Sequence, residues 1–321
     1  MLQRRKGIMK ELRKVTLIGL GAMGVFFAPR LSEYLGADFR ILADGARRDR
    51  LEQKGVTVNG INYRFPIVSP DSEDTPSDLV IIAVKGYDLE QAIQDIRHQV
   101  GPDTIILSVL NGVESEKQVA AVYGWERLLY SYMRISVVMK DGKTEFDPKK
   151  GLIHFGEEKN DPECLSEKVI AVKKLFDSCG IDYKIDPDML HGLWFKFMCN
   201  VGENMTCAMF GVPFGAFHGN EHANYFRHAA MWEVIQIANR TGITLGQDDI
   251  DRQEHSIGRL PYHNKPSTLQ DLEAGKRTET DMFAGTVVRL GKELGVETPV
   301  CEMFWHGIHL LEDKLFGVIS I

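Results

Sequence analysis

Apolar positions follow two rhythms along the chain, and the change between them falls near residue 187. Before it, short β-branched runs alternate with amphipathic stretches. Lys14-Val-Thr-Leu-Ile18 breaks into glycines and continues as Val25-Phe-Phe-Ala-Pro-Arg-Leu31, a strand followed by a helix in which Pro29 predicts a kink or an early end. Residues 38–44 predict a second strand. Residues 77–86 and 104–112 are so uniformly apolar that both faces must be covered, as in a parallel sheet; these strands are expected to end in Lys85 and Asn111. Asn59-Gly60, between Val56-Thr-Val and Ile61-Asn-Tyr, predicts a hairpin with a type I′ turn. Residues 128–139 and 151–155, joined by the polar Lys140-Asp-Gly-Lys143, predict an antiparallel extension, followed by a helix over 165–179 and a last strand over 181–187. Beyond Asp186-Pro187-Asp188 the strand patterns stop. Helical periodicities take over at 193–209, 220–241, a segment before Pro261, 278–294 and 301–314. The expected architecture is an α/β half over 1–187, with 1–13 a basic tail and Met9 an alternative start, and an all-α half over 188–321.

Composition narrows the function classes. Hydrophobic content of 44% and charged content of 26% are those of a soluble globular protein. No apolar run approaches the ~20 residues that span a bilayer, and 1–13 lacks the apolar stretch of a signal peptide. A net charge of −7 argues against a nucleic-acid partner. Cysteines 164, 179, 199, 207 and 301 are odd in number and show no CxxC spacing, which fits reduced thiols in a cytoplasm.

Chemistry enters with the first glycines. Gly19-Leu-Gly-Ala-Met-Gly24 is a G-x-G-x-x-G placed between a strand and a helix, the context in which glycines make the turn, admit a pyrophosphate and pack the helix closely. That makes the first half a Rossmann-type dinucleotide-binding domain, with Gly19, Leu20, Gly21, Ala22, Met23 and Gly24 at the phosphates. Asp44, twenty residues after Gly24, suits the ribose 2′-hydroxyl of NAD(H). Arg47 and Arg48 suit the 2′-phosphate of NADP(H) instead, and a plain Asp44-Gly45 turn is a third reading. Carboxyl ends of parallel strands line the ligand crevice, so Lys85 and Asn111 are expected to face cofactor or substrate.

In the helical half, Lys196, Asn200 and Asn204 stand at i, i+4 and i+8, within one quadrant of a helix whose other positions include Trp194, Phe195, Phe197, Met198, Cys199 and Val201. Taken alone, this reads more readily as a lysine snorkelling at a core edge beside two surface asparagines than as a catalytic group. Ser267 is expected as the N-cap of a helix and Glu279 at the start of the next. Glu302, His306 and His309 have metal-ligand spacing, but without a second acidic or histidine cluster they read as an exposed polar face, and no metal is expected.

Taken together, GLGAMG, AVKGYD, LNGVES, WFKFMCNVGEN and SxxQDxxAGKRTExD, in this order from Lys14 to Asp313, resemble the 2-dehydropantoate 2-reductase (ketopantoate reductase) family. The resemblance implies reduction of ketopantoate to pantoate by NADPH, in pantothenate and coenzyme A biosynthesis. It implies that Gly19, Gly21 and Gly24 bind the pyrophosphate and that Lys85 and Asn111 line the nicotinamide and substrate crevice. It further implies that Lys196 is the catalytic acid, Asn200 and Asn204 bind substrate, Ser267 binds its carboxylate and Glu279 is the second catalytic-site residue. Hydride reduction of a ketone leaves an alkoxide, and an ammonium desolvated by Trp194 and its neighbours suits its protonation. Two departures keep alternatives open. Asp44 stands where the family often has an arginine, and Phe214 in Val212-Pro-Phe-Gly215 replaces a common polar residue, so an NAD-dependent reductase of another branched or aromatic 2-oxoacid is a second expectation. Gly202 and Glu203 are unusual in the candidate helix and have no explanation from sequence. The β-hydroxyacid dehydrogenase class shares the GLGxMG opening and a Lys-x-x-x-Asn helix, but needs a Gly-Gly loop that this chain lacks. A dinucleotide-binding sensor without turnover is the alternative from another class. The resemblance and the apolar helical half are compatible with a homodimer, with a monomer still open.

Overall fold

A computed structural model describes residues 11–135, 138–140, 143–145 and 151–319. The tail over 1–10, with Met9, and the centre of the Lys140-Asp-Gly-Lys143 connection lie outside the described residues. The chain divides into two compact units, one ending at Met189 and the other beginning at Leu190.

Strands of the first unit are β1 (Val15–Ile18), β2 (Phe39–Leu42), β3 (Val56–Val58), β4 (Ile61–Tyr63), β5 (Ile67–Val68), β6 (Leu79–Ile82), β7 (Ile105–Ser108), β8 (Leu128–Arg134), β9 (Val138–Lys140), β10 (Lys143–Glu145), β11 (Leu152–Gly156) and β12 (Tyr183–Lys184). Its helices are α1 (Gly24–Leu35), α2 (Gly45–Lys54), α3 (Leu89–Asp95), α4 (Ser115–Tyr123) and α5 (Glu167–Cys179). The main sheet has the order β12-β11-β8-β7-β6-β1-β2-β5. It is parallel from β5 to β8. β11 runs antiparallel to β8, as the expected extension does. The β-branched cores of β1, β6 and β7 are buried at every position, which is why their sequences do not alternate.

Three expectations change. The apolar run over 128–139 is not one strand: β8 stays in the main sheet, whereas β9 and β10 join the hairpin of β3 and β4 in a separate sheet of order β4-β3-β10-β9. The hairpin itself forms as expected, with positive φ at both Asn59 and Gly60, as a type I′ turn requires. Pro29 does not end α1, which continues to Leu35 with its inner face, Phe26 and Phe27 included, buried in the core against α5. The predicted strands ending in Lys85 and Asn111 also run too long. Pairing stops at Ile82 and Ser108, three residues earlier in each case.

A hydrogen-bonded cluster ties β8, β11 and β12 to the chain that follows them. Asp186 accepts from Tyr132 Oη at 2.6 Å and from the His154 ring at 2.6 Å, and pairs with Lys184 at 2.8 Å. Burial would raise its pKa, but these partners outweigh burial and hold the carboxyl well below the usual range.

In the second unit the helices are α6 (Met189–Cys199), α7 (Met205–Phe210), α8 (Glu221–Arg240), α9 (Gln247–Ile257), α10 (Ser267–Glu273), α11 (Thr286–Leu294) and α12 (Pro299–Leu315). Strands are absent among its described residues, as the periodicity predicts. Two wide π turns interrupt the regular winding: Asn200–Asn204 joins α6 to α7, and Asp281–Gly285 leads into α11.

Candidate active site

The glycine loop divides its labour by position. Gly19 has φ +95°, and a Cβ there would lie 2.5 Å from the Ala83 carbonyl, so the turn out of β1 presses against the chain leaving β6. A Cβ on Gly24 would meet the Gly19 oxygen at 1.9 Å. Around Gly21, by contrast, a Cβ would meet nothing within 4 Å. Leu20 and Met23 pack against the core and pin the loop, while Gly21 and Ala22 present backbone at the N-terminus of α1. That is a cradle with a closed back and an open front, and it fits a dinucleotide pyrophosphate.

Asp44 directly follows the buried Ala43 after β2 and is the N-cap position of α2, exposed, with Gly45 at φ +52°. Arg47 is exposed, and Arg48 is engaged by Glu52 at 2.8 Å. Because β6 and β7 pair Ile82 with Ser108, Lys85 and Asn111 occupy equivalent places, three residues beyond the last pair of neighbouring strands. Both follow the carboxyl ends of their strands, in the loops rather than in the sheet.

The second unit builds its candidate surface on one long helix over 189–210. From Leu193 to Ala208 only Lys196 and Asn200 stop short of full burial. In uninterrupted α-helix each step of four residues overshoots a turn by about 40°, so Asn204 would stand about 80° round from Lys196. The π turn over Asn200–Asn204 holds an extra residue per turn, so its step of four falls short of a full turn instead. The two deviations oppose each other and swing Asn204 back toward the line of Lys196 and Asn200.

Gly202 and Glu203 now have a physical account. A Cβ on Gly202 would lie 2.6 Å from Met231 Cγ and 2.8 Å from the Arg227 carbonyl, so glycine lets α8 approach the back of the π turn. Thr206 Oγ1 donates to the Gly202 carbonyl at 2.7 Å, supplying a partner where the helical ladder is interrupted. Glu203 accepts from Gln253 at 2.9 Å and lies 3.8 Å from the guanidinium of Arg227, which is fully buried. Arg227 also pairs with Glu254 at 2.9 Å, donates to Asn224 at 3.0 Å and stacks over Phe217 at 5.0 Å. Breaking one partner of such a buried pair leaves an uncompensated charge.

Other helical elements meet this turn. The second π turn and α10 both pack against it. Ser267 is the first residue of α10 and exposed; the cap position belongs to Pro266, one residue earlier than expected, and no side chain caps it. Glu279 is buried, and its carbonyl accepts from the Met282 and Phe283 amides at the entrance to the second π turn. Lys196, Asn200, Asn204, Ser267 and Glu279 therefore come from elements that support one another. Phe214 behaves differently. It packs on a cluster of Cys207, Phe217, Ile257 and Leu269, and its amide donates to the Asn264 carbonyl at 2.9 Å, so it is part of the loop's anchorage. His309, singled out by spacing with Glu302 and His306, pairs instead with Asp281 and Glu312 at 2.9 Å each. No group of residues that could hold a metal ion occurs among the described residues.

The family model of ketopantoate reductase PanE/ApbA matches residues 15–160, and its C-terminal companion matches residues 188–312. The chain belongs to the ketopantoate reductase family. A 2-dehydropantoate 2-reductase of Aquifex aeolicus is 28% identical over 305 residues, covering 90% of this chain and 94% of that protein. Among solved structures, D-mandelate dehydrogenase with NADH and anilino(oxo)acetate superposes with a TM-score of 0.83 at 22% identity, covering 94% of this chain and 99% of the other. A dimeric ketopantoate reductase from Staphylococcus aureus gives 0.75 at 17% identity, with coverage of 94% and 99%. At these identities the structural likeness shows the shared fold, an N-terminal parallel-sheet α/β domain with a helical C-terminal region. Membership makes the protein an NAD(P)-dependent oxidoreductase of the ketopantoate reductase type. No helix among the described residues is long and apolar enough to cross a membrane.

Proposed function

We propose that the protein reduces 2-dehydropantoate to pantoate with NADPH, as a step in pantothenate and coenzyme A biosynthesis. The observation that supports this reading is that Lys196 and Asn200 alone stop short of burial on the helix from Leu193 to Ala208, with the buried Asn204 turned toward them by the π turn. The nicotinamide, when bound, supplies the hydride. The chain's own groups do the rest. The Lys196 ammonium stabilises the negative charge developing on the carbonyl oxygen and protonates it. Asn200 and Asn204 donate to and accept from substrate oxygens without adding charge, and the Ser267 hydroxyl donates to the carboxylate. Glu279 accepts a hydrogen bond from the substrate and fixes its orientation. Gly19 through Gly24 hold the pyrophosphate, Asp44 and Arg47 meet the adenosine ribose, and Lys85 and Asn111 line the nicotinamide and the reacting carbon.

A second reading has its own support. The exposed Asp44 after β2, the engagement of Arg48 by Glu52, and the likeness to a D-mandelate dehydrogenase with NADH favour an NAD-dependent reductase of another branched or aromatic 2-oxoacid. Initial rates with NADPH and NADH against ketopantoate and a panel of branched and aromatic 2-oxoacids separate the two. The first reading expects the highest kcat/KM for ketopantoate with NADPH; a clear preference for an aryl oxoacid with NADH replaces it with the second. No turnover of any 2-oxoacid leaves a dinucleotide-binding sensor. We also propose a cytoplasmic homodimer, supported by five free cysteines and by the relative described as dimeric. Light scattering giving a monomer mass at working concentration would remove the dimer.

A further inference from the structure

Thr278, Glu279 and Thr280 form a buried link whose two flanks are both held by one helix, α12. On the upstream side, the Thr278 amide donates to Glu312 Oε1 at 2.7 Å. Downstream, Asp281 Oδ1 accepts from Trp305 Nε1 at 2.8 Å and from His309 Nε2 at 2.9 Å. His309 Nδ1 reaches Glu312 Oε2 at 2.9 Å and so joins the two flanks. Trp305, His309 and Glu312 stand at i, i+4 and i+7, which places them on one face of α12.

Ionised carboxylates only accept hydrogen bonds, so an imidazole between two of them satisfies both only when both ring nitrogens carry protons. The ionisable groups facing the ring are Asp281 from the π turn and Glu312 from its own helix; Arg277 lies beyond, 3.5 Å from Asp281. We propose that His309, as an imidazolium, is a positioning residue that fixes the backbone on both sides of Glu279 and thereby sets the oxoacid-binding carboxylate. This rests on the reading of Glu279 given above. Partial burial of His309 favours the neutral ring, but the hydrogen bonds and charges of Asp281 and Glu312 outweigh it and raise its pKa. With that sign, the clamp is intact below the ordinary histidine range and loosens as pH rises through the His309 titration.

Two measurements test it. NMR titration of His309 in the wild-type protein should find a midpoint above that of an ordinary histidine; an ordinary or lowered midpoint overturns the proposal. In steady-state kinetics with the best oxoacid of the panel, the wild-type KM should rise on the alkaline side. His309→Gln should raise KM about tenfold, leave the dinucleotide Kd unchanged and abolish that pH dependence. A lower Tm with unchanged KM and pH profile marks a merely structural histidine and overturns the proposal. Should His309→Gln fail to fold, Trp305→Phe, which removes the hydrogen bond from the uncharged indole to Asp281, should raise KM in the same sense, and an unchanged KM counts against the clamp. Glu279→Gln separates the layers. If it leaves KM unchanged, the reading of Glu279 fails; if it raises KM while His309→Gln does not, the clamp alone fails.

Discussion

The glycine loop after β1 and the π turn in the long helix both depend on a missing Cβ, and they use the space in opposite ways. In the loop, Gly19 and Gly24 close the structure from behind, and the open side at Gly21 is left for a ligand that would meet backbone. In the π turn, Gly202 admits the neighbouring helix α8, and the other positions of the turn include Asn200, half-buried, and Asn204, buried. Cofactor recognition of the first kind tolerates variation in side chains. Under the proposed function, substrate recognition of the second kind depends on the side chains and on the winding beneath them.

The sharpest way to break this comparison is at Lys196. Lys196→Ala should lower oxoacid-dependent oxidation of the reduced cofactor by about 10²–10³-fold while dinucleotide binding, followed by fluorescence quenching, is retained. Undiminished turnover would sink the assignment of Lys196. Next in size is Gly202→Ala. Its methyl group must displace Met231 or the Arg227 backbone, so the π turn shifts, oxoacid KM rises about tenfold and Tm falls. An unchanged KM would mean that the turn's register does not set the site.

Within the loop the two glycine classes should separate. Gly24→Ala should destabilise the protein by about 1–3 kcal/mol through overpacking, whereas Gly21→Ala should leave Tm unchanged and weaken the dinucleotide several-fold. Equal effects on Tm in denaturation scans would refute the closed-back, open-front account. The smallest effect is expected at Asp186. Its folded pKa lies below its unfolded value, so its contribution to stability is complete above the usual aspartate range and is lost as pH falls toward the folded pKa. Asp186→Asn should therefore lower Tm by a few degrees near neutrality and flatten the acid-side slope, and a parallel slope in the variant would assign acid sensitivity elsewhere.

How much of this was legible depended on whether the determining contacts are local. The strand-glycine-helix sequence at 14–31 and the Asn59-Gly60 hairpin are fixed by nearest neighbours, and both form as expected. Strand ends at Lys85 and Asn111 were overrun because Ala83-Val84 and Val109-Leu110 stay apolar after pairing has ended, and burial without a ladder looks the same as burial within one. The cap falls one residue before the expected Ser267 because Pro266 fits the extended cap position equally well. Periodicity predicted one polar quadrant for Lys196, Asn200 and Asn204, but an extra residue in one turn is invisible to a 3.6-residue repeat. Glu203 looked anomalous because its partners, Arg227 and Gln253, lie 24 and 50 positions away in sequence. Spacing groups His309 with Glu302 and His306, yet its partners are Asp281, on a different element, and Glu312.

The clamp on Glu279 also has a consequence for the order in which the molecule is completed during synthesis. Ala83 and Val84, which press on Gly19 from behind, have been made before the helical unit begins. Trp305, His309 and Glu312, by contrast, emerge after Glu279, and at ~5–20 residues per second the link around it waits on the order of seconds for its anchors. A nascent chain released before α12 is complete is therefore expected to carry the glycine cradle and to lack a seated Glu279.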